Sequence, residues 1–280
     1  MSNVDLVRLE RVAPFRKVAI GTWATTYDPT VYGTMRVRME EAEKYIEAFR
    51  AQKGKRLTVT HLVTAAVGKA LKQCPEANAI IRWNRIYLRQ HVDVSVLVVV
   101  PTDDGSKVDL SAAMLRDVDA MTLSDQIDAL DAQVGGIRSG ADKAMKKAKS
   151  DIMKIPFLAM NAFLKLIAFL LYDLNLDLRA IGFPKDAFGG ATVTNVGSLG
   201  LDVAYVPLVP YTRVPIFVAP GLVRDEAVVD DGKVVPGRVM YVNASFDHRF
   251  IDGYHAMVLS RTLREVLGDP WTHLDPLSRS

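Results

Sequence analysis

The stretch SFDHRFIDGYHAMV, residues 245–258, places two histidines, two aspartates and an arginine between two apolar segments. Residues 238–246, which lead into it, are typical of a strand, and apolar residues recur at helical spacing from Tyr254 onward. Asp252 stands just ahead of this helix, where an aspartate is a favoured N-cap. The stretch therefore predicts the end of a strand, a short polar connection and the start of a helix.

The polar connection has a structural interpretation that needs no ligand. Asp252 would cap the helix, Gly253 would relieve crowding of the backbone, and His248 would be a polar loop residue. A metal site is an alternative, because His248, Asp252 and His255 have the spacing of residues on one helix face. That alternative requires a helix through Gly253, which glycine disfavours, and no cysteine cluster adds ligands. We therefore expect no metal.

Hydrolysis and acyl transfer are the other chemistries open to this stretch. A hydrolase triad needs an activated nucleophile, but residues 197–200, Gly-Ser-Leu-Gly, lack the spacing of a Gly-x-Ser-x-Gly elbow. His248 could instead act as a general base on a thiol or hydroxyl that the substrate supplies. The oxyanion formed during acyl transfer then needs a hydrogen-bond donor, and the hydroxyl of Thr194 is a candidate from a different strand.

The composition is that of an ordinary globular protein. The chain has 280 residues, of which 49% are hydrophobic and 24% are charged, and its net charge is +3. That charge is too small to indicate a nucleic-acid partner. The single cysteine, Cys74, suits a reducing compartment, and the N-terminus lacks the apolar core of a signal peptide. We expect a cytoplasmic protein that does not bind nucleic acid.

Patterns in the rest of the chain predict strands and helices without a regular alternation. We therefore expect one compact α+β domain over residues 1–280. The predicted elements are helices over 35–53, 60–73 and 122–150, strands over 86–100 and 214–220, a strand entering a glycine-rich loop over 189–200, a turn at 103–105, and a hairpin at Asp231-Gly232.

Residues 155–172, IPFLAMNAFLKLIAFLLY, form the most apolar segment of the chain. Its length and the central Lys165 argue against a membrane span. Burial, for example in a subunit contact, is the interpretation we favour. A helix lying in a membrane interface stays open as an alternative, because the basic KKAK sequence precedes the segment and would extend the contact over residues 143–172.

Three blocks of sequence carry a resemblance to a known family. DHRFIDG, residues 247–253, resembles the His-x-x-x-Asp-Gly motif of the dihydrolipoyl acyltransferases of 2-oxoacid dehydrogenase complexes, members of the chloramphenicol acetyltransferase-like superfamily. GGATVTNVGSLG, residues 189–200, resembles the family strand in which two glycines precede Thr-x-Ser/Thr-Asn-x-Gly. Residues 57–79 resemble its early helix, which ends in Pro-Glu-x-Asn-Ala. The blocks occur in the family's order.

The resemblance implies roles for individual residues. His248 would match the base that deprotonates the thiol of CoA or dihydrolipoamide, and Thr194 would match the donor to the oxyanion. Asp252 would match the aspartate that holds the catalytic loop. His255 is left as a helix-surface residue. Possible supporting residues, which match the motifs without an assigned role, are Asn195, Gly253 and Arg249, the last of which we expect in an ion pair that stabilises the loop.

The resemblance also implies the architecture and the partners. We expect a chloramphenicol acetyltransferase-like two-layer sandwich, with a mixed sheet packed against helices, and a homotrimer whose active site lies between subunits. Acyl-CoA would be a substrate. Because no lipoyl domain fits before residue 14, we expect no lipoyl group in cis and a separate lipoyl-carrying protein as a possible partner. Residues 135–185 are longer and more apolar than the family's segment there, which leaves a scaffold that only retains the fold as an alternative.

Overall fold

A mixed β-sheet lies at the centre of the structure, a computed structural model that describes residues 2–10, 29–101, 108–138 and 156–279. Within the described part of the chain, the larger sheet has seven strands and a smaller sheet has three. The strands are β1 (Leu6–Arg8), β2 (Thr30–Arg38), β3 (Ala79–Arg82), β4 (Arg85–Arg89), β5 (Val94–Pro101), β6 (Val108–Leu115), β7 (Ala191–Val193), β8 (Ile216–Pro220), β9 (Arg224–Asp230) and β10 (Lys233–Asp247).

The larger sheet has the strand order β2-β10-β8-β7-β5-β6, and β9 pairs with the first half of β10. Strands β5, β7 and β8 are parallel, whereas the other pairs are antiparallel. The smaller sheet is β1-β4-β3. The mixture of parallel and antiparallel pairs confirms the predicted α+β class.

Helices cover one face of the larger sheet and form the second layer. Helix α2 begins after Thr58, whose side chain takes part in a capping box, and ends at the Cys74-Pro75 step as predicted. Its apolar face packs on α5 and on the sheet in one continuous core. The helices are α1 (Glu40–Lys53), α2 (Val59–Gln73), α3 (Leu123–Arg138), α4 (Phe157–Ala168), α5 (Gly253–Gly268) and α6 (Pro270–His273).

Two predicted elements differ from the structure. The helix predicted over 35–53 begins only at Glu40, because residues 30–38 pair with the end of β10 as strand β2. The single strand predicted over 86–100 is two strands, β4 and β5, which belong to different sheets. Helical propensity does not anticipate such long-range pairing. The predicted turn at 103–105 and the helix beyond residue 138 lie outside the described residues.

The apolar segment after Pro156 is only partly buried. At its C-terminal end Ala168, Leu171 and Tyr172 pack against the smaller sheet, so burial is confirmed there. Leu166 and Phe169 are instead 54% and 39% exposed in the single chain, and a subunit contact over them stays a prediction. Among the described residues, the structure contains no helix long and apolar enough to cross a membrane.

The first turn of α2 predicts a pH-dependent stability. His61 is 6% exposed, its Nδ1 accepts the backbone N–H of Thr58, and burial lowers the pKa of the ring to about 4. An unfolded chain protonates histidine at about pH 6.5, so the unfolded state gains the proton first as pH falls. The neutral His61 therefore makes its full contribution to the free energy of unfolding above about pH 6.5. Between about pH 6.5 and 4 this contribution is lost, which lowers the free energy of unfolding by at most about 3 kcal/mol.

Urea unfolding of the wild type and of His61→Asn at a series of pH values measures this contribution. We expect the wild-type free energy of unfolding to fall more steeply than that of His61→Asn between pH 6.5 and 4, because the amide does not titrate. Parallel curves for the two proteins would show that the neutral, buried His61 does not contribute.

Candidate active site

Asp247, the last residue of β10, organises the connection between β10 and α5. Its carboxylate accepts the backbone N–H of Arg249 at 3.0 Å and forms a bidentate ion pair with the Arg249 guanidinium at 2.6–3.1 Å. Its backbone carbonyl accepts the N–H of Ile251 at 3.0 Å. Phe250 and Ile251 are buried in the core. The connection is thus a rigid turn, and Arg249 forms the expected ion pair.

His248 lies in this turn with a defined ring orientation. Its backbone N–H donates to the carbonyl of Pro29 at 2.7 Å, and its Nδ1 lies 2.7 Å from the carbonyl oxygen of Ile251. A carbonyl oxygen only accepts hydrogen bonds, so Nδ1 carries the proton. In the neutral ring the lone pair is then on Nε2. Nε2 can then accept a proton, as a general base must.

Asp252 caps α5, as the sequence predicts. Its carboxylate accepts the backbone N–H groups of Tyr254 at 3.0 Å and of His255 at 3.3 Å. Gly253 is the first residue of the helix and has open space around it. The cap fixes the position of the turn relative to the helix axis.

The prediction that His255 lies on the helix surface is wrong. His255 is 3% exposed; its Nδ1 lies 2.6 Å from Asp252 Oδ1 and its Nε2 lies 2.5 Å from Glu76 Oε2. Glu76 belongs to the Pro-Glu-x-Asn-Ala block that follows α2. Helical spacing predicts that His255 lies beside the N-cap residue, Asp252. It does not predict the contact with Glu76, which the tertiary fold brings close.

The one-face arrangement of His248, Asp252 and His255 does not form, because α5 begins only at Gly253. No group of histidine, cysteine, aspartate and glutamate side chains suited to a metal ion occurs among the described residues. His255 makes its contacts to carboxylates instead.

Thr194 directly follows β7 and is held by its neighbours. Its backbone N–H donates to the carbonyl of Val218 at 2.9 Å, and its side chain is half-buried. The next residue, Asn195, donates from Nδ2 to Thr60 Oγ1 at 2.9 Å and accepts the N–H of Ser198 at 3.0 Å. The hydrogen bond from Asn195 to Thr60 therefore connects the Thr194 turn to the start of α2. The sequence motif around Asn195 does not predict this contact.

Thr194 and His248 lie far apart within one chain. Val193, next to Thr194, pairs with Val218, and Val218 pairs with Ala244 on β10. His248 comes four residues after Ala244. Thr194 is one residue beyond Val193 in the opposite direction, so the offset along the strands is five residues. With the usual rise and spacing of strands, the two backbones are about 17 Å apart along the strands and about 10 Å across them, or roughly 19 Å in all. One reacting carbon does not reach both side chains in a single chain.

An apolar cavity lies beside the turn, between the sheet and helices α2 and α5. Its volume is about 440 Å³, and Phe246 and Gly253, on either side of the turn, contribute to its wall. Apolar side chains of the core provide most of the lining, and Arg264 adds a positive charge. Such a lining suits the hydrocarbon part of a ligand better than a charged nucleotide.

The sequence and the fold are similar to those of known proteins. A family model described as the 2-oxoacid dehydrogenases acyltransferase catalytic domain matches residues 11–153 and 184–274. The chain belongs to this family. The family model does not match residues 154–183, which include α4 and the partly exposed apolar segment.

Individual relatives support the same family. The mitochondrial dihydrolipoyllysine-residue succinyltransferase component of the 2-oxoglutarate dehydrogenase complex 1 of Arabidopsis thaliana is 27% identical over 271 residues, which are 96% of this chain and 48% of the relative. The acyltransferase domain spans about half the length of the curated relatives it matches.

Solved structures confirm the predicted chloramphenicol acetyltransferase-like fold. The dihydrolipoamide acetyltransferase of Azotobacter vinelandii has a TM-score of 0.62 at 19% identity, covering 94% of this chain and 93% of that one. A chloramphenicol acetyltransferase has a TM-score of 0.50 at 14% identity, covering 94% of this chain and all of that one, 100%. At these identities the likeness concerns the fold.

The buried ion pair in the turn predicts a large loss of stability on substitution. The side chains of Arg249 and Asp247 are 5% and 3% exposed. Arg249→Gln leaves the Asp247 carboxylate buried without its guanidinium, which should lower the free energy of unfolding by about 3–5 kcal/mol. The matched control is Arg261→Gln, since Arg261 faces Glu265 at 4.0 Å on the exposed side of α5. We expect that control to change stability by less than about 0.5 kcal/mol in urea unfolding. Equal losses in the two variants would contradict the role given to Asp247.

Proposed function

We propose that the chain is a CoA-dependent acyltransferase that moves an acyl group between CoA and a thiol, amine or hydroxyl acceptor. His248 is the general base, and Thr194 donates to the oxyanion. The observation that carries the proposal is the contact between His248 Nδ1 and the carbonyl of Ile251, because it gives the ring the tautomer with its lone pair on Nε2. A dihydrolipoamide-like thiol is the acceptor that the family suggests.

The reaction proceeds by direct attack. Nε2 of His248 removes the proton of the acceptor thiol, and the sulfur forms a bond to the carbonyl carbon of the acyl-CoA thioester. The Thr194 hydroxyl donates to the resulting oxyanion. The tetrahedral intermediate then collapses, the bond to the CoA sulfur breaks, and the imidazolium returns its proton to that sulfur. No acyl group is attached to the protein, and no metal takes part.

The two groups meet in a homotrimer whose active site lies between subunits. Their separation of roughly 19 Å within one chain supports this arrangement, because a neighbouring copy can bring its Thr194 to the His248 of the first. Exposed apolar residues also occur on β2 and in the segment between β7 and β8, including Tyr32, Leu201 and Val203, which are 46–55% exposed. Large apolar side chains that are exposed in a single chain are often covered in a subunit contact.

The rest of the proposal follows the family. In the Azotobacter vinelandii enzyme, a serine, a histidine and an asparagine were investigated for their role in catalysis. In this chain the proposal assigns a hydroxyl, that of Thr194, and an imidazole, that of His248. Asp252, Asn195 and Arg249 hold the two turns, and Gly253 begins α5. Residues 1–280 act as one catalytic domain with an apolar insert around 135–185. A separate lipoyl-carrying protein supplies or receives the acyl group in the cytoplasm, where Cys74 stays reduced.

Substitution of the two groups tests the mechanism. His248→Ala should lower the turnover number by about two to four orders of magnitude, the usual contribution of a general base. Thr194→Ala should lower it by about two to three orders of magnitude, as the loss of an oxyanion donor does. The control is His273→Ala in α6, which should retain full turnover. The assay follows thiol release from a panel of acyl-CoAs with dihydrolipoamide and small acceptors.

A folded His248→Ala protein with wild-type turnover would remove His248 from the mechanism. Full turnover in Thr194→Ala would remove only the oxyanion donor, because the base would still be required.

A second candidate function is that of a membrane-associated scaffold that retains the fold. The observation in its favour is the insert that the family model does not match, whose Leu166 and Phe169 are exposed. Trp83 is 59% exposed and packs edge-to-face on Phe169, with ring centroids 5.9 Å apart. Aromatic side chains at such a surface favour the interface of a bilayer, and four lysines occur in residues 143–149.

Co-sedimentation with vesicles tests this second candidate. We expect the wild type to bind vesicles that contain phosphatidylserine more strongly than vesicles of phosphatidylcholine alone, and Leu166→Glu/Phe169→Glu to bind at least about tenfold more weakly, because charges enter the apolar layer poorly. The control is Val234→Glu on the β9–β10 hairpin, where Val234 is 73% exposed. Absence of wild-type binding, or an equal loss in the control, would exclude the insert as a membrane contact.

A further inference from the structure

His255 is a buried histidine that the reaction does not use directly. Both of its ring nitrogens lie within hydrogen-bond distance of carboxylate oxygens, at 2.6 Å from Asp252 Oδ1 and at 2.5 Å from Glu76 Oε2. A carboxylate only accepts, so a ring bonded in this way donates from both nitrogens and is the imidazolium. Charge-assisted bonds of this length are stronger than bonds between neutral groups.

The two carboxylates come from different parts of the fold. Asp252 is the N-cap of α5, whereas Glu76 lies in the short 3-10 turn after α2. The bridge therefore connects the start of one helix to the end of another. A second contact, from Thr262 Oγ1 to Gln73 Oε1 at 2.6 Å, joins the same two helices further along. The start of α5 is thus fixed against α2 by side chains as well as by apolar packing.

The bridge acts on the base through Asp252 and Ile251. Asp252, which His255 holds, directly follows Ile251, whose carbonyl sets the ring of His248. A movement of Asp252 therefore moves the Ile251 carbonyl. The order of contacts is Glu76, His255, Asp252, Ile251 and His248. Outer partners that orient metal-binding histidines change affinity or activity by about 10–100-fold when substituted, and we expect a similar scale for partners that orient a catalytic histidine.

The sequence position explains why a histidine can take this role. Residue 255 is the third residue of α5, where a capping box usually has glutamate or glutamine. Its Nδ1 also lies 3.4 Å from the backbone nitrogen of Asp252, but a protonated Nδ1 does not accept that N–H, so its hydrogen bond is the one to the Asp252 carboxylate at 2.6 Å. A glutamate there would place a third carboxylate beside Asp252 and Glu76. The imidazolium instead neutralises both.

We propose that His255 is a positioning residue for His248, and that Glu76 completes the bridge that holds it. The inference rests on the proposed role of His248 as the general base. His255 and Glu76 keep the Ile251 carbonyl at the distance that holds the proton of His248 on Nδ1. Without the bridge, the His248 ring samples its other tautomer and other rotamers, so fewer molecules have the lone pair on Nε2 in place.

Three variants test the proposal: His255→Gln, Glu76→Gln and the double variant. We expect each single variant to lower kcat by about 10–100-fold, because small displacements of a catalytic group cost that much. The KM for acyl-CoA should change by less than about twofold, because neither side chain is proposed to contact the substrate. The double variant should be no slower than the slower single variant, since both substitutions break the same bridge. Glu76→Asp, which keeps the carboxylate, should recover part of the loss.

Nuclear magnetic resonance of histidines labelled with ¹⁵N provides a readout that a purely structural role would not change. In the wild type we expect both nitrogens of His255 to be protonated and His248 to carry its proton on Nδ1. In Glu76→Gln, a conservative change of a side chain that is 47% exposed, we expect a folded protein in which the His248 signals shift toward a mixture of tautomers.

Wild-type kcat in folded Glu76→Gln and His255→Gln would overturn the proposal, and so would an unchanged tautomer of His248 in both variants. The control is Glu265→Gln, at an exposed position on α5, which should leave kcat and the His248 signals unchanged. His248→Ala is measured in the same assay. Full activity of that variant would reject the proposed function, whereas the His248 signals in Glu76→Gln still report on the bridge by themselves.

Discussion

The pairing of β10 on both sides is the constraint on which the candidate site depends. From Val239 to Asp247 the strand pairs with β2, and from Val242 to Phe246 it also pairs with β8. A strand held in two ladders has little freedom of register, because a shift of one residue would exchange its core and opposite faces. Asp247 therefore ends the strand at a fixed point, and its carboxylate and carbonyl shape the turn that presents His248.

Contacts between distant segments then hold both halves of the site. Asn195 donates to Thr60 at the start of α2, and Glu76, just after the same helix, accepts from His255. Helix α2 is thus in contact with the Thr194 turn at one end and with the start of α5 at the other. The early helix, whose sequence shows no catalytic group, supports both parts of the proposed chemistry. This explains why three separate blocks of sequence are needed to describe one site.

Much of the turn could be predicted from sequence because its interactions are local. The cap by Asp252 and the start of α5 involve residues a few positions apart, and so does the separate hairpin at Asp231-Gly232. Other features depend on partners far along the chain. The strand β2 exists because it pairs with β10, and His255 is buried because Glu76, 179 positions away, approaches it. Periodicity carries no information on such contacts, so the sequence predicts a helix from residue 35, over the end of β2, and an exposed position for His255.

The central claim is that His248 of one subunit works with Thr194 of its neighbour. Mixing His248→Ala and Thr194→Ala subunits, followed by measurement of turnover on trimers confirmed by native mass spectrometry, tests it most directly. Each variant alone is nearly inactive, but in random mixed trimers about a quarter of the interfaces combine an intact His248 with an intact Thr194. The account predicts that activity returns to about that fraction of the wild type. Mixed trimers no more active than the separate variants would contradict a site shared between subunits.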